Sequence, residues 1–181
     1  MTVSLVYETH SLTEDNATGH ATGWLPGKLS EQGRLLAAEL GERRRNDDVD
    51  LVFSSDLARA AETAEIAFGG SGMPVLHDWR LRECNYGKLN GAPVAQLHGL
   101  RQQHIDLPFP SGQSYREVIE LTRYFISDLL HAFDGKRICV ISHSANKWAF
   151  DVLLEGAKIA DLVAAPFAWQ EGWEYTLDWP A

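Results

Sequence analysis

Short apolar segments alternating with longer helical repeats constrain this chain most. Val3 to Thr9, Val49 to Phe53, Pro74 to His77 and Arg137 to Ile141 each read as a strand. The last is almost continuously apolar, as expected where both faces of a sheet are covered. Ser30 is the N-cap of a helix running to about Arg45, with Gly33, Leu36, Ala37 and Leu40 on its packed stripe. Asp56 to Phe68 forms an Ala-rich helix closed by Gly69-Gly70. Ser114-Tyr115-Arg116-Glu117 is a capping box, opening a helix with Val118, Leu121, Phe125, Leu129 and Ala132 on one face. Ser144 to Glu155 is a helix stopped by Gly156, and a weaker one spans Pro93 to Gln103. Ser11 to Lys28 is a long loop, and the tail from Phe167 to Trp179 alternates aromatic and polar residues, fitting an edge strand or a dimer contact. The predicted fold is a three-layer α/β/α sandwich with a mostly parallel central sheet, one domain over residues 1–181.

Charge and cysteine usage narrow the partners. Sixteen Lys and Arg stand against 25 Asp and Glu, a formal net charge of −9, which disfavours nucleic acid and anionic membranes. An anionic ligand then needs a local cationic pocket. The two cysteines, Cys84 and Cys139, do not suggest a disulfide framework, because Cys139 falls inside a strand; a reducing cytoplasm is the expected compartment. No apolar run reaches transmembrane length. His20, His77, His98, His104 and His131 show no metal-ligand spacing, so no metal is expected.

Four chemically capable residues stand where strands should hand over to loops or helices. His10 follows the first strand, Arg59 opens the helix after the second, Glu83 follows Trp79-Arg80-Leu81-Arg82, and His143 follows the last strand. In an open α/β sheet the carboxyl ends of the strands border one ligand crevice. Two imidazoles, a guanidinium and a carboxyl gathered there suit phosphoryl transfer: a His nucleophile, cations for the phosphate and an acid for the leaving oxygen. Thr13 and nearby amides would bind phosphate oxygens, and His143 would hydrogen-bond the phosphate. Each residue alone also has an ordinary structural explanation; their order and spacing together do not.

The motifs resemble those of the histidine phosphatase superfamily, the phosphoglycerate mutase-like proteins. Thr9-His10-Ser11-Leu12-Thr13 with Asn16 occupies its first motif, usually Arg-His-Gly-x-Thr. Leu29-Ser30-Glu31-Gln32-Gly33, Ser54 to Ala64, Leu81-Arg82-Glu83 with Gly87, Phe109 to Ser114 and Ser142-His143-Ser144 are similar to its later segments, so the resemblance covers roughly residues 3–155. It implies a phosphoacceptor at His10, phosphoryl binding by Arg59 and His143, and a general acid at Glu83. It implies no cofactor, a small phosphate monoester as substrate, and, in so compact a chain, a phosphatase rather than a mutase.

Three departures matter: Thr9 replaces the first phosphate-binding Arg, Ser11 and Ser144 replace glycines, and Gln113 replaces a Glu. A lost charge-assisted contact costs roughly 1.5–3 kcal/mol. Arg82 or Lys147 is expected to restore that charge, and Ser144 to join the phosphate site. A competing register would put Glu8 at the nucleophile position; His10 is preferred because Thr13 and Asn16 then fall into place. Trp24, Tyr86, Phe109 and Tyr115 should rim the pocket and stack on an apolar part of the substrate. Two rivals keep the fold: a pocket reassigned to acid and base chemistry on a substrate without phosphate, and a non-catalytic binding module.

Overall fold

A computed structural model describes residues 1–178. Five strands form one sheet in the order β3-β2-β4-β1-β5. These are β1 (Thr2–Thr9), β2 (Leu51–Ser54), β3 (Val75–His77), β4 (Arg137–Ser142) and β5 (Trp173–Asp178). The first four are mutually parallel and β5 runs antiparallel to β1. The tail thus forms an edge strand; Trp179 lies outside the described residues.

Helices cover both faces, giving the expected three layers. On one face, α2 (Glu31–Arg44) and α3 (Ala58–Phe68) pack together. There Leu40, Ala60, Ala64 and Phe68 close over Val6, Val52, Cys139 and Ile141. On the other, α5 (Tyr115–Ala132) and α6 (Ser144–Leu154) place Phe125, Leu129 and Phe150 against Leu5, Tyr7, Ile138 and Val140. Alternate residues of β1 and β4 feed opposite cores, as the two-residue period of a strand requires. Both cysteines are free and buried. No helix among the described residues is long and apolar enough to cross a membrane.

Several local expectations need correction. The segment before Glu83 is not a strand: Asp78 caps a 3₁₀ turn, Trp79–Leu81, by accepting from the Arg80 amide at 2.9 Å. Residues 11–28 contain a one-turn helix, α1 (Glu14–Ala17), and a further short helix appears, α7 (Ile159–Ala164), while the weak helix expected from Pro93 is α4 (Val94–Leu100). The α5 stripe runs through Ile119, Thr122, Ile126 and Leu130 as well as Val118, Phe125 and Leu129, while Ala132 is exposed. In α2 the buried stripe is Gly33, Ala37, Leu40 and Arg44; Leu36 lies outside it. Gly33 admits no side chain, because a Cβ there would lie 1.9 Å from the Leu12 carbonyl oxygen.

Candidate active site

Strand register brings the two histidines together. Thr9 and Ser142 are the last paired residues of β1 and β4, so His10 and His143 emerge side by side. The His10 amide donates to the Ser142 carbonyl at 2.8 Å, and the ring centroids are 5.0 Å apart. Tyr7 fixes the His143 backbone from below: its hydroxyl donates to the His143 carbonyl at 2.6 Å and accepts from the His143 amide at 3.1 Å. Nothing in the sequence marks Tyr7 for this role, since a buried aromatic in a strand reads simply as core.

The His10 ring is fixed in one neutral tautomer. Its Nδ1 lies 2.8 Å from the Ser11 carbonyl, which only accepts, so Nδ1 carries the proton. Nε2 is then the free base and accepts from Arg59 Nε at 3.3 Å. Burial and the adjacent Arg59 charge push the His10 pKa down to about 3, outweighing the opposing hydrogen bond to Ser11. The same two causes, with His10 itself, hold His143 well below the ordinary histidine range. Ser11, where the family carries glycine, ties the loop down by donating from Oγ to the Gly33 carbonyl at 2.6 Å.

Arg59 projects from the first turn of α3 and is 2% exposed. Nη2 donates to the Gly23 carbonyl at 2.9 Å, whereas buried Nη1 has no partner among the described residues. Both ring nitrogens of fully buried His143 are likewise unpartnered. Buried polar atoms are nearly always hydrogen-bonded, so Arg59 Nη1 and the single N–H of neutral His143 are donors left without a partner among the described residues.

Glu83 faces the same cavity from the loop after the 3₁₀ turn. Oε1 accepts from the amides of Cys84 at 2.8 Å and Ala145 at 3.3 Å, and Oε2 accepts from Ser144 Oγ at 2.9 Å. Ser144, the second replaced glycine, therefore holds the carboxyl as well as lining the cavity. The loop is closed by a tight approach at Gly87, where φ is +55° and a Cβ would lie 2.1 Å from the Pro110 carbonyl oxygen.

The cavity measures about 520 Å³, and Thr9, His10, Asn16, Arg59, Glu83, Tyr86 and Ser144 line it. Other expected residues lie elsewhere. Thr13 caps α1, accepting from the Asn16 amide at 2.9 Å. Arg82 pairs with Asp56 at 2.6 Å and lies over Trp24, whose indole donates to the Glu83 carbonyl at 2.6 Å. Neither Arg82 nor Trp24 lines the cavity. Lys147 is held by both carboxylate oxygens of Asp151, at 2.5 and 2.6 Å, so it does not stand in for the missing cation. Phe109 and Tyr115 are buried in a core beneath the acid loop. Of the expected aromatics Tyr86 does line the cavity, and Phe167 and Trp169 complete its aromatic walls, with Val94 and Leu97 beside them. Glu8, the competing nucleophile position, is buried in an ion pair with Arg44 at 2.6 Å. Arg43 and Arg101 also line the cavity, and the sequence reading missed both. Among the described residues, no group of three or more His, Cys, Asp or Glu side chains is arranged to hold a metal ion.

Two adjacent strand-end histidines, a helix-start arginine and a facing carboxyl thus gather at the carboxyl ends of an α/β sheet. The sequence profile of the histidine phosphatase superfamily (branch 1) matches residues 9–167, and the chain belongs to that superfamily. A probable phosphoglycerate mutase, GpmB, of Salmonella typhi is 28% identical over 170 residues, covering 90% of this chain and 75% of that protein. The 2,3-bisphosphoglycerate-dependent phosphoglycerate mutase of Neisseria gonorrhoeae is 27% identical over 216 positions, covering 97% and 95%. Among solved structures, mycobacterial glucosyl-3-phosphoglycerate phosphatase superposes with a TM-score of 0.78 at 25% identity, covering 91% of this chain and 84% of that one. Bacillus stearothermophilus YhfR gives 0.81 at 23%, covering 93% and 88%, a likeness of fold.

Proposed function

We propose that the protein is a metal-independent phosphomonoesterase acting on a small metabolite through a phosphohistidine at His10. The observation that carries this reading is the neutral His10 base, with the unpartnered buried nitrogens of Arg59 and His143 around it. In the first step His10 Nε2 attacks phosphorus and the bond from phosphorus to the ester oxygen breaks. Glu83 gives that oxygen its proton, so an alcohol leaves. Water then attacks the phosphohistidine and returns a proton to Glu83. The phosphorus–nitrogen bond breaks, releasing inorganic phosphate and neutral His10. Arg59 and His143 bind the equatorial oxygens, whose charge grows in the transition state.

Hydrolysis is preferred over a mutase reaction on chain length. The match to the Neisseria mutase runs over 216 positions against 181 residues here, so that protein carries segments this chain lacks. The relatives that are phosphatases by name act on phosphate esters of small molecules, in keeping with a cavity of this size. Two free buried cysteines accord with a reducing cytoplasm.

The test is phosphate release from aryl and alkyl phosphates with EDTA present, for wild type and His10→Ala. Wild type should release phosphate, and the variant should fall by about a thousandfold or more, the scale lost with a covalent nucleophile. Equal release by both proteins sinks the phosphohistidine route. Phosphate appearing on a second hydroxyl of the substrate rather than in water makes the protein a mutase.

A further inference from the structure

The first turn of α6 carries a buried amide that the proposed chemistry does not use. Asn146 is 0% exposed, on the helix whose N-cap is His143. On one side of its amide group stand three acceptors: the Arg82 carbonyl at 3.0 Å, the Ser142 hydroxyl at 3.0 Å and the Leu81 carbonyl at 3.1 Å. On the other stands the Arg80 carbonyl, at 3.3 Å. Carbonyl oxygens only accept, so the nitrogen end of the amide faces the three. Ser142 Oγ gives its own hydrogen to the Leu81 carbonyl at 2.7 Å, which leaves its lone pairs to accept from Asn146. A fully buried helix position ordinarily holds an apolar residue, because an amide is costly there unless its hydrogen bonds are made. Here they are made to one segment, the backbone that delivers Glu83.

That segment has no other regular support. Leu81 ends the 3₁₀ turn, Arg82 follows it outside any strand, and the Arg82 side chain is drawn away to Asp56. The Glu83 carboxyl itself is gripped by the start of the same helix, through Ser144 Oγ at 2.9 Å and the Ala145 amide at 3.3 Å. A carboxyl held only by its oxygens still shifts when its backbone shifts. Asn146 removes that freedom by tying the peptide before Glu83 to the helix that also carries His143.

We propose that Asn146 is a positioning residue for Glu83: its amide holds the Leu81–Arg82 backbone so that the carboxyl keeps its place facing the histidines. The inference rests on the phosphatase reading only for what Glu83 does once it is in place. A misplacement of about 1 Å can lower a rate by about a hundredfold.

Two measurements compare wild type with Asn146→Ala and Asn146→Ser. The first is amide hydrogen exchange in the unliganded protein, which needs no substrate. The Cys84 amide donates to Glu83 Oε1 at 2.8 Å and so reports on the carboxyl. In Asn146→Ala its exchange should quicken roughly tenfold beyond any change shared by the amides of β1 and β4, the sign of local rather than global loosening. Asn146→Ser keeps a donor and should show a smaller change; it carries the same comparison if Asn146→Ala does not fold. The second is turnover. Asn146→Ala should lower kcat for alkyl phosphates roughly ten- to a hundredfold and lower it far less for nitrophenyl phosphate, whose leaving group needs little help. In a Glu83→Gln background the same substitution should cause no further loss, because its effect passes through the carboxyl.

Cys84 exchange that follows the sheet amides overturns the proposal, whether or not any ester is turned over. A full further loss in the Glu83→Gln background also overturns it, as does equal loss on both substrates when Glu83→Gln itself spares nitrophenyl phosphate. Both are what a merely structural residue would give. If wild type turns over no ester and Cys84 exchange quickens in Asn146→Ala, the phosphatase reading falls and the positioning role stands.

Discussion

The proposed nucleophile and the proposed acid reach one cavity by different constructions. His10 and His143 extend two adjacent parallel strands, and the register that pairs Thr9 with Ser142 leaves their rings 5.0 Å apart. Glu83 has no strand beneath it. It hangs from a 3₁₀ turn and a loop pinned by Ser142 Oγ donating to the Leu81 carbonyl, by the close approach at Gly87, and by donors from Cys84, Ser144 and Ala145. The phosphoryl end is therefore fixed by sheet hydrogen bonds that also hold the fold together. The leaving-group end is fixed by side-chain contacts that can change with little cost to the sheet. Charge bears on the histidine end as well: Thr9 borders the cavity where the family resemblance leads one to expect a cation.

The largest expected effect breaks the acid end alone. Glu83→Gln preserves the shape and much of the hydrogen bonding but removes the transferable proton. Turnover of alkyl phosphates, whose leaving oxygens are strongly basic, should fall about 10²- to 10⁴-fold. Turnover of nitrophenyl phosphate, whose leaving group needs little help, should change by less than about tenfold. Steady-state rates on both substrates decide the matter. A uniform loss on both would assign Glu83 to binding or positioning and remove the division of labour between the two ends.

This construction also explains what could be read from the sequence. Strand-borne residues were legible because period-two apolar runs locate strand ends, and strand ends locate the crevice; His10, His143 and helix-borne Arg59 all followed from that. Glu83 was read as following a strand, and that local reason fails because a capped 3₁₀ turn precedes it, yet the residue still faces the cavity. The aromatic walls were misassigned because burial of Phe109 and Tyr115 is decided by how the loop after Glu83 folds back, which no periodicity encodes. Arg101 carried one signal that was passed over: it is the only charged residue between Lys88 and Asp106, histidines aside, among apolar and amide neighbours. Lys147 looked close to the site because it follows His143 by four residues, but its ammonium binds Asp151 one turn further along α6.

A second prediction sharpens the charge comparison. Thr9 borders the cavity, so Thr9→Arg restores a cation beside the proposed phosphoryl site. One new charge-assisted contact of about 1.5–3 kcal/mol should tighten inhibition by inorganic phosphate roughly ten- to a hundredfold. Unchanged phosphate affinity in a folded variant would mean that the phosphoryl end already has all the positive charge it can use.

The smallest expected effect concerns pH and again separates the two ends. His10 is neutral in the folded protein with its pKa pushed down to about 3, by burial first and then by Arg59, whereas an unfolded chain offers an ordinary histidine near 6.5. As pH falls below about 6.5 the unfolded state takes up a proton that the folded state refuses. Stability is thus complete above that pH and is lost progressively as pH falls toward 3. At pH 5 the cost from this residue is about 2 kcal/mol. His143, depressed by burial, Arg59 and His10, acts in the same direction. His10→Gln removes one of these two proton sinks, so its urea midpoint should decline less between pH 7 and pH 5 than that of wild type. Comparing the two proteins over this interval cancels the carboxylates they share. An identical decline in both would show that His10 is already protonated in the folded, unliganded protein near pH 5, and the neutral nucleophile on which the phosphoryl end depends would then be absent there.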